Sequence, residues 1–293
     1  MPFFVFCERS VVGSVTERTI EDVILQGFGK PSRGMELLRP HLPHDYCRRA
    51  AAALLAAERG NMLLATGFYV AGTAETDGPP GTLFLAKALN RLGFYCTVVT
   101  DEYCSGFFEK GDVAVEYVPL HADALSVVGL WDRYNPKALM AIERCGVNAQ
   151  GDYTNMRGES IAAHTAKLDP LFDEGRRRGI LTVGIGDGGN EIGMGCFREA
   201  IGRELSLSPC VTEVDVPVIA TVSNWGAYGL CAALQRMTGE RLLPCREEIR
   251  SYLASLTAMG SVDGVTRQHT PTVDGFPEGV EETIIRELSD SIL

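Results

Sequence analysis

The sequence predicts an α/β protein, a three-layer fold in which a mostly parallel sheet carries helices on both faces. Short apolar runs alternate with helical patterns along most of the chain, which is typical of βαβ units. Hydrophobic residues make up 45% and charged residues 22% of the 293 positions, the composition of a folded globular protein. No long linker interrupts the pattern. We therefore expect a single compact, Rossmann-like arrangement with an N-terminal helical extension.

The first sixty residues predict helices that pack rather than perform chemistry. Ile20, Val23 and Ile24 recur at helical spacing, and an alanine-rich helix is expected from Asp45 to Arg59. We interpret residues 1–60 as the helical extension and residues 61–293 as the α/β domain.

The α/β domain contains predicted strands and helices in alternation. The strands are short apolar runs, predicted over 62–70, 95–100, 113–119, 138–142, 181–185 and 216–222. The helices show a periodic apolar face and are predicted over 82–92, 169–178, 191–205 and 225–237. Ligands bind such sheets at the carboxyl ends of the strands, so the loops after the strands are the places to seek function.

Composition excludes several classes of protein. The formal charge is −11, from 27 basic and 38 acidic residues, so nucleic acid is not an expected partner. The apolar run at 50–57 is too short to span a membrane, and the apolar start at 1–7 lacks the flanks of a signal peptide. Nine cysteines without a C-x-x-C pair indicate reduced thiols. A cytoplasmic protein is expected.

The loop after the first strand is rich in glycine and proline and leads into a helix near Gly81. Free backbone N–H groups at Gly78, Gly81 and Thr82 would favour a carboxylate or a single phosphate. The loop lacks the lysine of a Walker A motif, so a triphosphate is not expected. The alternative is a tight strand-to-helix turn without a ligand.

A second loop, residues 184–195, is the densest glycine cluster and formally fits G-x-G-x-x-G. No nicotinamide cofactor is expected, because Asp187 and Glu191 would repel a pyrophosphate and the next strand ends without a ribose-binding acid. Asp187, Asn190 and Glu191 offer three oxygen ligands for Mg²⁺, another divalent cation or a substrate ammonium. The alternative is that they cap the predicted helix.

Further candidates follow two other strands. Arg144, Asn155 and Arg157 come after strand 138–142, where arginine can clamp a carboxylate bidentately or form an ordinary surface ion pair. Asn224 and Trp225 follow the last strand, where they could line a small substrate pocket, cap the next helix or simply pack.

These loops carry ordered motifs: T-G-F-Y-V from Thr66, I-E-R-C-G from Ile142, G-D-Y-T-N-M-R-G from Gly151, G-D-G-G-N-E-I-G-M-G from Gly186, S-N-W-G-A-Y-G from Ser223 and two V-D-G elements. Together, from about residue 60 to 276, they resemble the C-terminal domain of the D-glutamate cyclase family.

The resemblance implies a carbon–oxygen lyase that converts D-glutamate to 5-oxo-D-proline and water. The resemblance thus implies an acidic amino acid as the small-molecule partner. Vertebrate members carry a large additional N-terminal domain, so we also expect either a homo-oligomer or a separate N-terminal-domain partner.

The chemistry of cyclisation suggests roles for the candidates. The α-amine must lose a proton and attack the γ-carboxyl carbon. Asp187 or Glu191 would act as base or metal ligand, while Arg157 or Mg²⁺ would polarise the γ-carboxylate. The helix start at 78–82 would hold the other carboxylate. The alternative function is a non-catalytic protein that binds an acidic amino acid or nucleotide.

Overall fold

A six-stranded parallel sheet organises the protein in the computed structural model, which describes residues 18–30, 33–205 and 207–293. The strands, in chain order, are β1 (Asn61–Thr66), β2 (Tyr69–Val70), β3 (Thr73–Ala74), β4 (Tyr95–Thr100), β5 (Ala114–Tyr117), β6 (Ala138–Ile142), β7 (Leu181–Gly186) and β8 (Val216–Ile219). The sheet order is β5-β4-β1-β6-β7-β8, whereas β2 and β3 form a separate antiparallel hairpin. All five pairings within the large sheet are parallel.

Helices cover both faces of the sheet. They are α1 (Ile20–Ile24), α2 (Met35–Leu38), α3 (Tyr46–Ala56), α4 (Pro79–Arg91), α5 (Ala124–Val128), α6 (Leu130–Tyr134), α7 (Asp169–Arg177), α8 (Arg198–Glu204), α9 (Ser223–Thr238), α10 (Arg246–Ala258) and α11 (Val280–Ser291). Successive strand residues point to opposite faces, so β1 sends Met62 and Leu64 into the core under α4 and α9. Leu63 and Ala65 enter the second core, with residues of α6 and α7. The predicted three-layer α/β fold is confirmed.

The predicted element boundaries hold where the apolar run is bounded by a turn. Strands 95–100 and 138–142 are confirmed residue for residue. Strand 62–70 is wrong beyond Thr66, because Gly67 has a φ of 97° and turns the chain into the β2–β3 hairpin. Helix 191–205 is also wrong at its start: Glu191 forms a bridge with Cys145, Gly193 has a φ of 104°, and α8 begins only at Arg198.

The N-terminal helices share the main core. Ile20, Val23 and Ile24 are buried with residues of α9, as their spacing predicted. The start of the chain at 1–7 lies outside the described residues, and the division at residue 60 stays a prediction. In the described ranges, no helix combines the length and apolarity needed to cross a membrane.

The N-termini of α4 and α9 meet at the carboxyl edge of the sheet and cap each other. Asp77, just before α4, accepts the backbone N–H groups of Ser223 and Asn224 at 2.9 and 2.8 Å. Asn224 in turn places its Oδ1 on the N–H groups of Gly78 and Gly81, at 3.0 and 2.8 Å. The helices approach so closely at Gly81 that a Cβ atom there would lie 2.9 Å from the Asn224 Cα. Each helix start therefore depends on a side chain of the other.

We expect Asn224→Ala to lower the free energy of unfolding by about 1–3 kcal/mol, because two buried N–H groups lose their acceptor. Urea denaturation measures this difference. Ser289→Ala is the control, since its hydroxyl bonds only within α11, and it should change the free energy by less than about 0.5 kcal/mol. An equal effect of both variants would contradict the reciprocal cap.

Candidate active site at the carboxyl edge of the sheet

A cavity of about 500 Å³ opens at the carboxyl edge of the sheet, where Glu143 follows β6. Two buried acids, Glu75 and Glu143, contribute to its lining, and three arginines, Arg33, Arg157 and Arg267, line it as well. The cavity thus combines carboxyl groups with guanidinium groups. A site of this kind can recognise a small molecule that carries both a positive and a negative group.

Arg33 lies within a cluster of buried acids that we call the acidic cluster: Glu75, Asp77, Glu143, Asp187 and Asp274. Its Nη1 lies 2.9 Å from Asp187 Oδ1, and its Nη2 contacts the carboxylate of Asp274. The second oxygen of Asp187 is buried and has no hydrogen-bond partner. The guanidinium therefore compensates only part of the negative charge that these five carboxyls would carry if all were ionised.

Backbone geometry holds the acids in place. Glu143 has a φ of 46° and Asp274 a φ of 52°, conformations that non-glycine residues adopt mainly where the surroundings enforce them. Ser223 donates its hydroxyl to Glu143 Oε2 at 2.5 Å. Glu75 packs against Gly264, where an added Cβ would lie 1.5 Å from a carboxylate oxygen. A side chain at position 264 would therefore displace the Glu75 carboxylate from its present position.

Burial keeps protons on the acidic cluster. Desolvation raises the pKa of Glu143 well above its usual value, and the nearby Glu191 carboxylate raises it further. Desolvation and then Asp274 raise the pKa of Glu75, although Arg33 opposes that shift. The pKa of Asp77 rises to about 7, chiefly through desolvation. Some of these carboxyls therefore act as hydrogen donors near neutral pH, and others as acceptors.

Glu191 stabilises its own loop. Its carboxylate accepts the backbone N–H groups of Asp187, Gly188 and Gly189 at 3.2, 2.6 and 2.7 Å. Its role as base stays a prediction, although both of its oxygens already accept backbone N–H groups. The capping alternative is wrong, because the 3-10 helix Met194–Phe197 has Gly193 at its N-cap and α8 begins only at Arg198. Asn190 lines the cavity, with its amide N–H donated to the Thr154 carbonyl at 2.7 Å.

Several other predicted site residues are structural. Arg144 is 1% exposed and pairs with Asp101 at 2.8 Å, so it cannot clamp a substrate carboxylate. The donors at Gly78 and Gly81 are occupied by Asn224, which leaves no anion site at that helix start. Thr82 is fully buried beside them.

Trp225 is fully buried as well and packs rather than lining the cavity. Its indole N–H is donated to Glu281, and its ring lies 5.0 Å from that of Phe276.

Two further predicted residues, besides Asn190, line the cavity. Arg157 is exposed at the rim and Asn155 is half-buried beside it. Asn155 Oδ1 accepts the backbone N–H of Arg157 at 2.9 Å, which fixes the turn that carries the arginine. Asp187 lies behind the cavity lining and holds Arg33 by their ion pair.

Sequence reasoning missed four functional candidates: Arg33, Glu75, Glu143 and Asp274. Glu143 belongs to the I-E-R-C-G motif and Asp274 to the second V-D-G element, so a signal was present for both. Arg33 lies 154 residues from Asp187 in the chain, and no local pattern marks it.

The aspartates of the two V-D-G elements have different roles in the structure. Asp263 accepts the N–H groups of Val265, Thr266 and Gly275 and so shapes the loop, whereas Asp274 contacts Arg33.

Comparison with known proteins identifies relatives of this chain. The family described as "D-glutamate cyclase-like, C-terminal" matches residues 20–289. Human mitochondrial D-glutamate cyclase is 33% identical over 250 residues, which cover 77% of this chain and 39% of the human protein. The chain thus spans about two fifths of the length of that relative. One solved structure with a weak likeness is the crystal structure of the E. coli tRNA N6-threonylcarbamoyladenosine dehydratase TcdA in complex with AMP. The match covers 71% of this chain and 94% of the TcdA chain, at 12% sequence identity and a TM-score of 0.30.

The pH dependence of stability should report on Glu281, whose pKa burial raises to about 8. In the folded protein this carboxyl keeps its proton while the unfolded chain ionises near its ordinary value. The stabilisation that Glu281 contributes to the folded state is therefore fully present below about pH 4.5, and it is lost as the pH rises toward about 8. We expect Glu281→Gln to show a smaller fall in the free energy of unfolding over this range, measured by denaturation at several pH values. Identical pH profiles of the variant and the parent protein would contradict this.

Proposed function

The chain belongs to the D-glutamate cyclase-like family, and from this premise we propose that it is a lyase that converts D-glutamate to 5-oxo-D-proline and water. The observation that carries the proposal is the pairing of Glu75 and Glu143 with three arginines around one cavity. Glutamate has one ammonium and two carboxylates, and the cavity offers carboxyl groups for the ammonium and guanidinium groups for the carboxylates. The match of the family over residues 20–289 supports the same reaction type.

Binding would set the ammonium against the two glutamates and the carboxylates against the arginines. Arg33, held by Asp187, contacts the carboxylate nearer the acidic cluster, and Arg157 or Arg267 contacts the outer one. This arrangement brings the α-nitrogen close to the γ-carboxyl carbon. A well-oriented intramolecular attack can gain about 7 kcal/mol or more over a poorly oriented one.

The reaction moves two protons from nitrogen to the departing oxygen, and a carboxyl pair can carry both. Arg33 opposes the rise in the pKa of Glu75, and we assign Glu75 as the base that takes the first proton from the ammonium. Glu143, whose raised pKa keeps it protonated, donates to the carboxyl oxygen as the amine attacks. When the C–O bond breaks, the nitrogen returns a proton to Glu143 and Glu75 delivers its own to the hydroxide. Water leaves and both glutamates regain their starting states.

The test is incubation of the purified protein with D-glutamate and with L-glutamate, followed by chiral chromatography and mass spectrometry. We expect 5-oxo-D-proline from the D isomer. Glu143→Gln should lower kcat at least ~100-fold, because the variant cannot donate the proton. Its melting temperature should change little, since the amide oxygen can still accept the Ser223 hydroxyl. Glu58→Gln, on an exposed residue paired with Lys137, is the control with unchanged kcat.

Two outcomes would contradict the proposal. Absence of product from folded protein would exclude D-glutamate as a substrate of this chain alone, and binding of D-glutamate without product would favour the non-catalytic alternative. Full activity of Glu143→Gln would exclude the acid role of Glu143.

A divalent cation is a separate proposal. Oxygens of Asp77, Asp187 and Asp274 lie within 4.8 Å of one another, and the unpartnered Asp187 Oδ2 is a suitable ligand for Mg²⁺. A second group, Glu143, Asp187 and Glu191, also brings its oxygens within 4.8 Å of one another and includes two residues of the sequence-predicted set. When bound at the first group, Mg²⁺ would polarise a substrate carboxylate.

Arg33 contacts two acids of the first group, Asp187 and Asp274, so it should compete with the cation. We expect Arg33→Gln to tighten Mn²⁺ binding at least ~10-fold and Asp274→Asn to weaken it, as measured by calorimetry and by the electron paramagnetic resonance of Mn²⁺. Arg157→Gln, at the exposed rim, is the matched control. No change of affinity in Arg33→Gln would overturn the cation site.

A further inference from the structure

The cavity is larger than glutamate requires. Glutamate has ten non-hydrogen atoms, and even at the ~30 Å³ that each water molecule occupies in the liquid they would fill no more than ~300 Å³. The cavity measures about 500 Å³. The proposed chemistry uses Arg33, Glu75 and Glu143 on the side of the acidic cluster and Arg157 or Arg267 at the outer carboxylate, and it leaves the aromatic part of the outer region unassigned.

That outer region has an aromatic wall. Tyr69, in β2, stacks on the His164 ring at a centroid distance of 4.2 Å and an interplanar angle of 9°. The Tyr103 hydroxyl lies 2.6 Å from His164 Nδ1, and the Tyr103 ring meets Tyr69 edge-on at 4.7 Å. Tyr69 and His164 line the cavity and are half-buried. The contacts hold two aromatic side chains in fixed positions before any ligand arrives.

Other apolar side chains also line the cavity. Met156 and Val265 line the cavity and are 40% and 50% exposed, although both are large apolar residues. Phe68 and Ile161 lie deeper in the lining and are buried. A ligand group that covered the exposed apolar surface would gain about 25 cal/mol per Å² removed from water. A free γ-carboxylate, which ends in two charged oxygens, gains nothing there.

We infer that the preferred substrates are γ-amides of D-glutamate whose amine carries an aromatic or other bulky apolar group. This inference rests on the proposed function, because it keeps the same attack of the α-amine on the γ-carbonyl carbon. The glutamyl part binds at the acidic cluster and the arginines, and the amine substituent packs against the stacked Tyr69 and His164 rings.

The reaction balances without a co-reactant. A C–N bond forms between the α-nitrogen and the γ-carbon, and the C–N bond to the leaving amine breaks. The ammonium loses two protons: one passes through the glutamate pair to the leaving nitrogen, and the other is released to solvent when the leaving amine is aromatic and stays neutral. The products are 5-oxo-D-proline and the free amine.

The experiment compares three compounds: D-glutamate, its γ-methylamide and its γ-anilide. We expect kcat/KM for the anilide to exceed that for the methylamide at least ~10-fold. Tyr69→Ala should remove most of this ratio, because an aromatic pair and its buried area contribute about 1.4 kcal/mol or more, which is a factor of ten. Tyr69→Phe should retain the ratio. Tyr95→Ala, at the exposed start of β4, should leave it unchanged.

Turnover of D-glutamate distinguishes the γ-amide inference from the proposed function. Turnover of D-glutamate that is the same within twofold in the parent protein and in Tyr69→Ala, together with loss of the anilide preference in the variant, supports the inference. Equal kcat/KM values for anilide and methylamide in the parent protein would overturn the inference and leave the proposed function standing. If no compound is turned over, calorimetry on the same proteins decides: the anilide should bind at least ~10-fold tighter than D-glutamate, and equal affinities would overturn the inference.

Discussion

Two helix N-termini, those of α4 and α9, meet at the carboxyl edge of the sheet and must find acceptors for their free N–H groups in a place from which water is excluded. Asp77 accepts N–H groups at the start of α9, and Asn224 accepts N–H groups at the start of α4. These hydrogen bonds hold the β1–α4 connection, which carries Glu75, and they hold Ser223, which donates to Glu143. The capping arrangement therefore lies directly beside both cavity carboxyls, since Glu75 precedes Asp77 by two residues and Ser223 bonds Glu143.

The electrostatic character of the site follows from burial. Acids that line a dry edge of a sheet cannot all ionise, and Arg33 compensates only some of them. Protonated and ionised carboxyls thus occur side by side at one pH. A dehydration needs both forms at once, because it removes protons from one atom of the substrate and delivers them to another.

Much of the fold was predictable because it depends on local patterns. Alternation of short apolar runs with helical periodicity identified the layers, and the rule that ligands bind at the carboxyl ends of parallel strands led to the edge where the cavity opens. Individual roles depend on pairings between distant residues. The free N–H groups predicted at Gly81 exist, but Asn224, from a helix 143 positions later, takes them. Glu191 was expected to act outward and instead turns back on its own loop. Local spacing contains no information about either partner.

The position of Arg33 has a consequence for anyone who wishes to divide this protein. The arginine lies in the segment between α1 and α2, ahead of the first strand of the sheet, yet its guanidinium contacts Asp187 and Asp274. A fragment cut at residue 60 would retain every strand that the structure describes, but it would lose the helices that cover α9 and the guanidinium of the acidic cluster. The minimal unit for cloning, fusion or transplantation onto another scaffold therefore includes the helices before the sheet.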